Sequence, residues 1–236
     1  MRYPTEAIAS ALNQFYESAS LHKKRQLHLT DGVRPDHSAI YRWIDKYSKK
    51  AVKELDSVPI NVGSNWAADE TVLRLKEGEG GSKGWLWDIL DTRTRFLLAT
   101  HLSQSRGTKD AQTLMERASK RAGGIAPQSV TTDKLAAYLD GLELAFGADT
   151  KHIRARTLTS ESAKQLIERL HGTLKDRTKI MRSFLRKGTA KTVTDGWRIH
   201  YNFFRPHGAL GNKTPAKVAG AKSPYKSWLD VVTDKS

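Results

Sequence analysis

Apolar residues near the start of the chain recur at three- and four-residue spacing, which predicts helices. Ala7, Ile8, Ala11, Leu12 and Phe15 share one face of a first helix. Ser20 stands where a second helix, running to Leu29 and carrying Lys23, Lys24 and Arg25, would take its N-cap. The run TDGVRPD then interrupts the pattern with Gly32 and Pro35. Asp36 is placed to cap a third helix, HSAIYRWIDKY, with Ile40, Trp43, Ile44 and Tyr47 as its buried stripe. His37, Ser38, Tyr41 and Arg42 fall on the exposed side of that helix. Three short helices of this kind predict a small all-α helix-turn-helix domain over residues 1–57, reading DNA. Lys49, Lys50 and Lys53 lead into a linker near Ser57–Pro59.

From Asn65 the period changes to that of strands. WAADETVLRLK alternates, GEGGSKG is a turn, and WLWDILD and RFLLATHLS follow, joined by a short turn at Thr92–Thr94. The glycine-rich turn is no phosphate-binding loop, because no Gly-Lys-Ser/Thr opens a helix after it. Thr108–Ala122 reads as a helix ended by Gly123-Gly124, SVTTD as a short strand ending on Asp133, and LAAYLDGLELAF as another helix. KHIRA is a fifth strand, and a long helix runs from Glu161 to Lys187. This order predicts an α/β layer with a mixed five-stranded sheet flanked by helices.

The long helix separates its residues sharply. At about 100° per residue, Lys175, Lys179, Arg182 and Arg186 lie within about 40° of Glu168. Leu166, Leu170, Leu174, Met181 and Phe184 gather on the other side, where they can be buried. One face thus carries an acid followed by a row of cations.

Charge sharpens this picture. The 236-residue chain has a formal net charge of +15. Residues 169–226 alone hold 14 Lys/Arg against two acids. A concentration of that kind suits a polyanion, with nucleic acid favoured over a membrane surface. No apolar run approaches the roughly 18 residues that span a bilayer, and the start does not have the order of a signal peptide. A cytoplasmic, nucleoid-associated protein is expected. With no cysteine, thiolate zinc sites, disulfides and cysteine nucleophiles are excluded.

Position selects among the carboxylates. Asp69 lies inside the first strand, Asp133 at the end of the fourth, where α/β sites commonly open, and Glu168 on the helix beside the sheet. Brought together, three acids repel unless a divalent cation relieves them, and oxygen-only ligation favours magnesium or manganese. Two such ions suit phosphodiester chemistry. Structural readings stand beside these: Asp69 paired with an arginine, Asp133 as the N-cap of DKLAAY, Glu168 as a surface acid. Glu70, Asp88, Asp91 and Asp110 are rivals, and Glu161 shares a helix face with Glu168. Arg169, Lys175, Lys179 and Arg182 are candidates for phosphate contacts. In HYNFFRPH, Tyr201, Phe203 and Phe204 read as core, with Arg205 and His207 turned towards the carboxylates. Trp66, Trp85 and Trp87 alternate along strands and read as core rather than as a base-stacking platform.

From Trp66 to Gly220 the chain resembles DDE-type insertion-sequence transposases of the insertion-sequence six group. The matching pieces are WAADET, LWDILDTRTRFLLA, TDKLAAY, IERLHGTLKDRTKIMRSF and HYNFFRPHGALGNKTPAKVAG. The resemblance implies a ribonuclease H-like fold over residues 58–220, followed by a tail at 221–236. It implies a catalytic triad, which falls on Asp69, Asp133 and Glu168, with two Mg2+ or Mn2+ ions. It also implies metal-dependent cleavage at element ends, strand transfer of a 3′-hydroxyl, double-stranded DNA as partner, and a homodimer or larger assembly. The chain departs from the group where an asparagine pair usually precedes Ile-Glu-Arg: here Lys164 and Gln165 stand in that place.

Overall fold

The structure, a computed structural model, describes residues 3–17, 35–76, 82–155, 161–181, 184 and 186–234. Strands β1 (Asn65–Leu75), β2 (Ser82–Asp91) and β3 (Leu97–Ser103) form an antiparallel meander. β4 (Ser129–Thr132) and β5 (Lys151–Arg154) add in parallel on the other side of β1, giving the order β3-β2-β1-β4-β5. This is the mixed five-stranded sheet that the sequence predicts.

Helices α1 (Thr5–Tyr16) and α2 (His37–Leu55) precede the sheet, α3 (Thr108–Arg121) and α4 (Ala136–Phe146) alternate with its later strands, and α5 (Glu161–Met181) follows it. Asp36 caps α2 as expected, its carboxylate accepting from Ala39 N at 2.6 Å. α2 continues past Tyr47 because Ser48, Ala51 and Leu55 extend its buried face with no glycine or proline to stop it. The expected second helix, with Lys23, Lys24 and Arg25, lies outside the described residues.

The register decides which side chains meet. Asp69, Asp88 and Thr100 are cross-strand partners in one row, and Glu70, Trp87 and His101 form the next. Neighbouring rows project to opposite faces of a sheet. The first row meets α5 and α6 (Lys187–Ile199), through His171 and Asp195. The second meets α3 and α4, through Asp110 and Tyr138. Trp66 and Trp87 are fully buried, so both are core.

The single helix expected from Glu161 to Lys187 ends instead at Met181. β4 covers β1 only as far as Ala67, so the far end of β1 has backbone groups to satisfy. Phe184 supplies them: its N–H donates to Arg74 O at 2.9 Å and its carbonyl accepts from Lys76 N at 2.8 Å. Arg186 is therefore not on the face of Glu168; it is the exposed N-cap residue of α6. Arg182 lies outside the described residues. α6, a π-helical turn at His200–Phe204 that continues it, α7 (Pro215–Val218) and α8 (Trp228–Thr233) are not foreseen by the sequence pattern.

α1 and α2 share one hydrophobic cluster with the sheet and with α6 and α8. α6 approaches them at Gly196, where a Cβ would stand 2.6 Å from Ser48 Oγ and closer still to Tyr16 Oη. Arg198 of α6 grips Asp56, after α2, with two bonds of 2.7 and 2.8 Å. On the exposed side of α2, His37, Ser38, Tyr41 and Arg42 face solvent as expected. No helix among the described residues is long and apolar enough to cross a membrane.

Candidate active site

β4 runs parallel to β1 with Thr131 opposite Ala67, so the residue that follows β4 comes level with the middle of β1. That residue is Asp133. Asp69, Glu70 and Asp133 each present an oxygen within 4.8 Å of the others. The structure thus brings Asp69 and Asp133 together. The third member of the group is Glu70, and Glu168 is not among them.

Each acid has a different set of contacts. Glu70 is spoken for: Arg106 Nε donates to Oε1 at 2.7 Å and Tyr138 Oη to Oε2 at 2.7 Å. Burial pushes its carboxyl up, against the pull of these two donors. Asp133 is more open, with Arg106 3.7 Å from Oδ2 and the Leu135 N–H donating to Oδ1 at 2.9 Å. That last bond closes a tight turn ahead of α4, whose N-cap is Leu135 with no side-chain cap bond, so Asp133 is not the N-cap that its sequence position suggested. Asp69 is half-buried and pairs with His171, whose Nδ1 lies 3.5 Å from Oδ2. Arg106 itself rests over the Trp85 ring at 4.8 Å.

His171, buried on α5, also meets Asp88 Oδ2 at 3.1 Å, so one imidazole joins two acids of neighbouring strands. Burial alone would lower its pKa, but the bonds to Asp69 and Asp88 outweigh that and lift it to about 9. His171 is an imidazolium at neutral pH. Four carboxylates, Asp69, Glu70, Asp88 and Asp133, then face two cations, Arg106 and His171. The residual negative charge and the oxygen-only donor set fit a hard divalent cation, for which Asp69 and Asp133 have oxygens to spare.

Glu168 sits one turn before His171 on α5. It is 54% exposed and lies 3.6 Å from Lys164, one turn earlier. Arg169, Lys175 and Lys179 are exposed along the same helix. Arg205 and His207 follow the π-helical turn that continues α6 and, with Arg169, line a small pocket against α5.

Arg106 and Tyr138 carry no sequence signal for this role. Arg106 lies in a loop without periodicity, and Tyr138 reads as one more apolar position of α4. Glu70 was visible as a rival, since it adjoins Asp69 in the same strand.

A mixed five-stranded sheet with acids gathered where β4 leaves β1 defines an integrase-type, ribonuclease H-like core. The fold is similar to two structures of the HTLV-2 integrase catalytic core domain in complex with magnesium, a trimeric and a dimeric form, with TM-scores of 0.51 and 0.50. Identity is 16% in both, over 68% of this chain and 99% and 97% of theirs. At that identity the likeness establishes the fold. A family model for the DDE domain of IS240-type transposases matches residues 63–207, a span that takes in all five strands, Asp69, Asp133 and Glu168. The chain belongs to this family of DDE transposase enzymes. Comparison with curated proteins returns no match.

Proposed function

We propose that this chain cuts DNA at the ends of an insertion sequence and joins the freed 3′-hydroxyl to target DNA, with Asp69, Asp133 and Glu168 as the catalytic carboxylates. The observation that supports it best is the convergence of Asp69 and Asp133 beside α5, whose exposed side carries Glu168 and then Arg169, Lys175 and Lys179. The three carboxylates would hold two magnesium or manganese ions, which activate an attacking oxygen and stabilise a leaving one in phosphodiester chemistry.

The chain's own residues do the rest. His171 fixes the Asp69 carboxylate against the sheet. Glu168, exposed on its helix, turns from Lys164 towards Asp69. Glu70 is the rival third ligand, but Arg106 and Tyr138 occupy both its oxygens, which makes it a support for the site. The cations of α5 bind phosphates and position the duplex without reading sequence. The helices of residues 1–57 recognise the element end through His37, Ser38, Tyr41 and Arg42, and residues 58–220 perform the chemistry. Two ends must be joined at one target, so a homodimer or larger assembly is the working unit.

The test is incubation of the protein with its own flanking DNA ends, a supercoiled plasmid target and magnesium. Joined products are expected from the wild type and from Glu161→Ala, and none from Glu168→Ala. Nicked ends without joined products would make the chain a nuclease. Joined products from Glu168→Ala would move the third carboxylate elsewhere.

A further inference from the structure

Against α5, where Arg169 follows Glu168, lies a pocket of about 70 Å3 whose lining contains three guanidiniums and no acid. Arg95 comes from the β2–β3 turn, Arg169 from α5 and Arg205 from the turn after α6. We infer that this pocket seats one backbone phosphate of bound DNA, gripped by Arg95, Arg169 and Arg205 with the Tyr201 hydroxyl as a further donor. The inference rests on the DNA-acting reading above and adds to it a specific phosphate site and two residues, Arg95 and Tyr201.

Four observations carry it. Among the described residues, none of the three guanidiniums has an ion pair or a side-chain hydrogen bond. Three like charges in one small pocket repel one another, and with Glu17 near Arg205 as the only acid close enough to be felt among the described residues, the arrangement suits a ligand that supplies negative charge. The volume is several times the roughly 10–15 Å3 that a single water needs, enough to seat a tetrahedral oxyanion.

Arg95 also has a φ of +59°, in the left-handed region that residues with a Cβ rarely adopt. A glycine would take it with less strain. The turn is held in that shape by buried Asp91, whose Oδ2 accepts from Thr94 N at 2.9 Å and from Thr94 Oγ1 at 2.5 Å. Strain maintained by a rigid surround, at a residue whose side chain enters a pocket, points to binding.

Finally, the Tyr201 hydroxyl makes no hydrogen bond among the described residues, although the side chain is buried. Burial pushes its pKa up to about 12, with Arg95 and Arg205 close enough to oppose the rise, so it remains a protonated donor. His207 supports it: Nε2 donates to the Tyr201 carbonyl at 3.2 Å, and the rings meet edge to face at 4.6 Å. Burial lowers the His207 pKa, with Arg205 and Arg95 adding to the effect. His207 is thus a positioning residue for Tyr201.

The experiment measures affinity for a duplex of the flanking element end, in calcium with Glu168→Gln as background, so that no chemistry is needed. Arg205→Gln and Arg95→Gly should each weaken binding at least about tenfold, as for a lost hydrogen bond to a charged group. The slope of log affinity against log salt should fall by about one. Arg95→Gly should keep or raise the melting temperature, which separates lost contact from lost fold. One neutral methylphosphonate, scanned along the duplex, should weaken the parent protein and leave Arg205→Gln unaffected at a single position. Full binding by both variants, or no such position, would overturn the pocket and leave the transposase reading intact. Phosphorus resonance broadening by inorganic phosphate that DNA does not relieve would assign the pocket to free phosphate and overturn it too. Failure of the parent protein to bind any duplex would sink the DNA-acting reading itself.

Discussion

His171 Nε2 lies 3.1 Å from Asp88 Oδ2, and the same ring presents Nδ1 to Asp69 Oδ2 at 3.5 Å. Asp88 is wholly buried, and its other oxygen has no hydrogen-bond partner among the described residues. The imidazolium therefore neutralises a carboxylate that the fold cannot hydrate, and it orients a carboxylate that the chemistry needs. His171→Asn removes the charge and should cost about 3–5 kcal/mol, the usual result of stranding one member of a buried ion pair. Urea unfolding of the variant measures this. Replacing both partners in Asp88→Leu/His171→Leu should recover most of the loss, because no buried charge then remains.

The pH dependence follows from the same ring. Its folded pKa of about 9 exceeds the unfolded value of about 6.5. A base shifted upward lends its stability fully below pH 6.5 and loses it as pH rises through 9. The melting temperature in the presence of a chelator should thus fall between those limits, by up to about 3 kcal/mol of stability for the whole shift. His171→Asn should flatten that part of the profile.

Lys164 stands 3.6 Å from Glu168, where similar transposases usually have an asparagine. An exposed pair of this kind contributes little to folding. On the proposed reading it competes with the metal site for Glu168. Lys164→Asn should leave the melting temperature unchanged and raise the rate of magnesium-dependent nicking by up to about fivefold, the most a surface ion pair of about 1 kcal/mol allows. An unchanged rate would mean that Glu168 moves freely already.

Glu70 and Asp133 should separate by opposite effects on stability. Glu70→Ala strands Arg106 and Tyr138 and should destabilise the fold by about 1–3 kcal/mol. Asp133→Asn removes a charge from a crowded acidic site, and in chelator it should raise stability by about 1 kcal/mol. Manganese titration followed by calorimetry should find binding lost in Asp133→Asn.

How far the sequence carried is clear from particular residues. Asp69 and Asp133 were legible because strand alternation and a strand end locate them without side-chain detail. Their approach follows from β4 lying parallel to β1, where the order of elements implied only a mixed sheet. Arg106 and Arg95 were not legible, since each lies in a connection whose shape depends on contacts far away in the chain. The break after Met181 was hidden for a similar reason. Phe184 continues the apolar stripe of α5, and only the unpaired end of β1 shows why it leaves the helix. α6 escaped because its buried face mixes Ala190, Thr194 and Gly196 with Val193 and Trp197, a weak stripe.

The most direct test of the triad is single-turnover nicking of the flanking DNA end in magnesium by the wild type, Asp133→Asn, Glu70→Gln and Glu168→Gln. Loss of cleavage in Asp133→Asn and Glu168→Gln, with activity retained in Glu70→Gln, is the expected pattern. Full cleavage by Glu168→Gln together with none by Glu70→Gln would contradict it and make the buried acid beside Asp69 the third ligand.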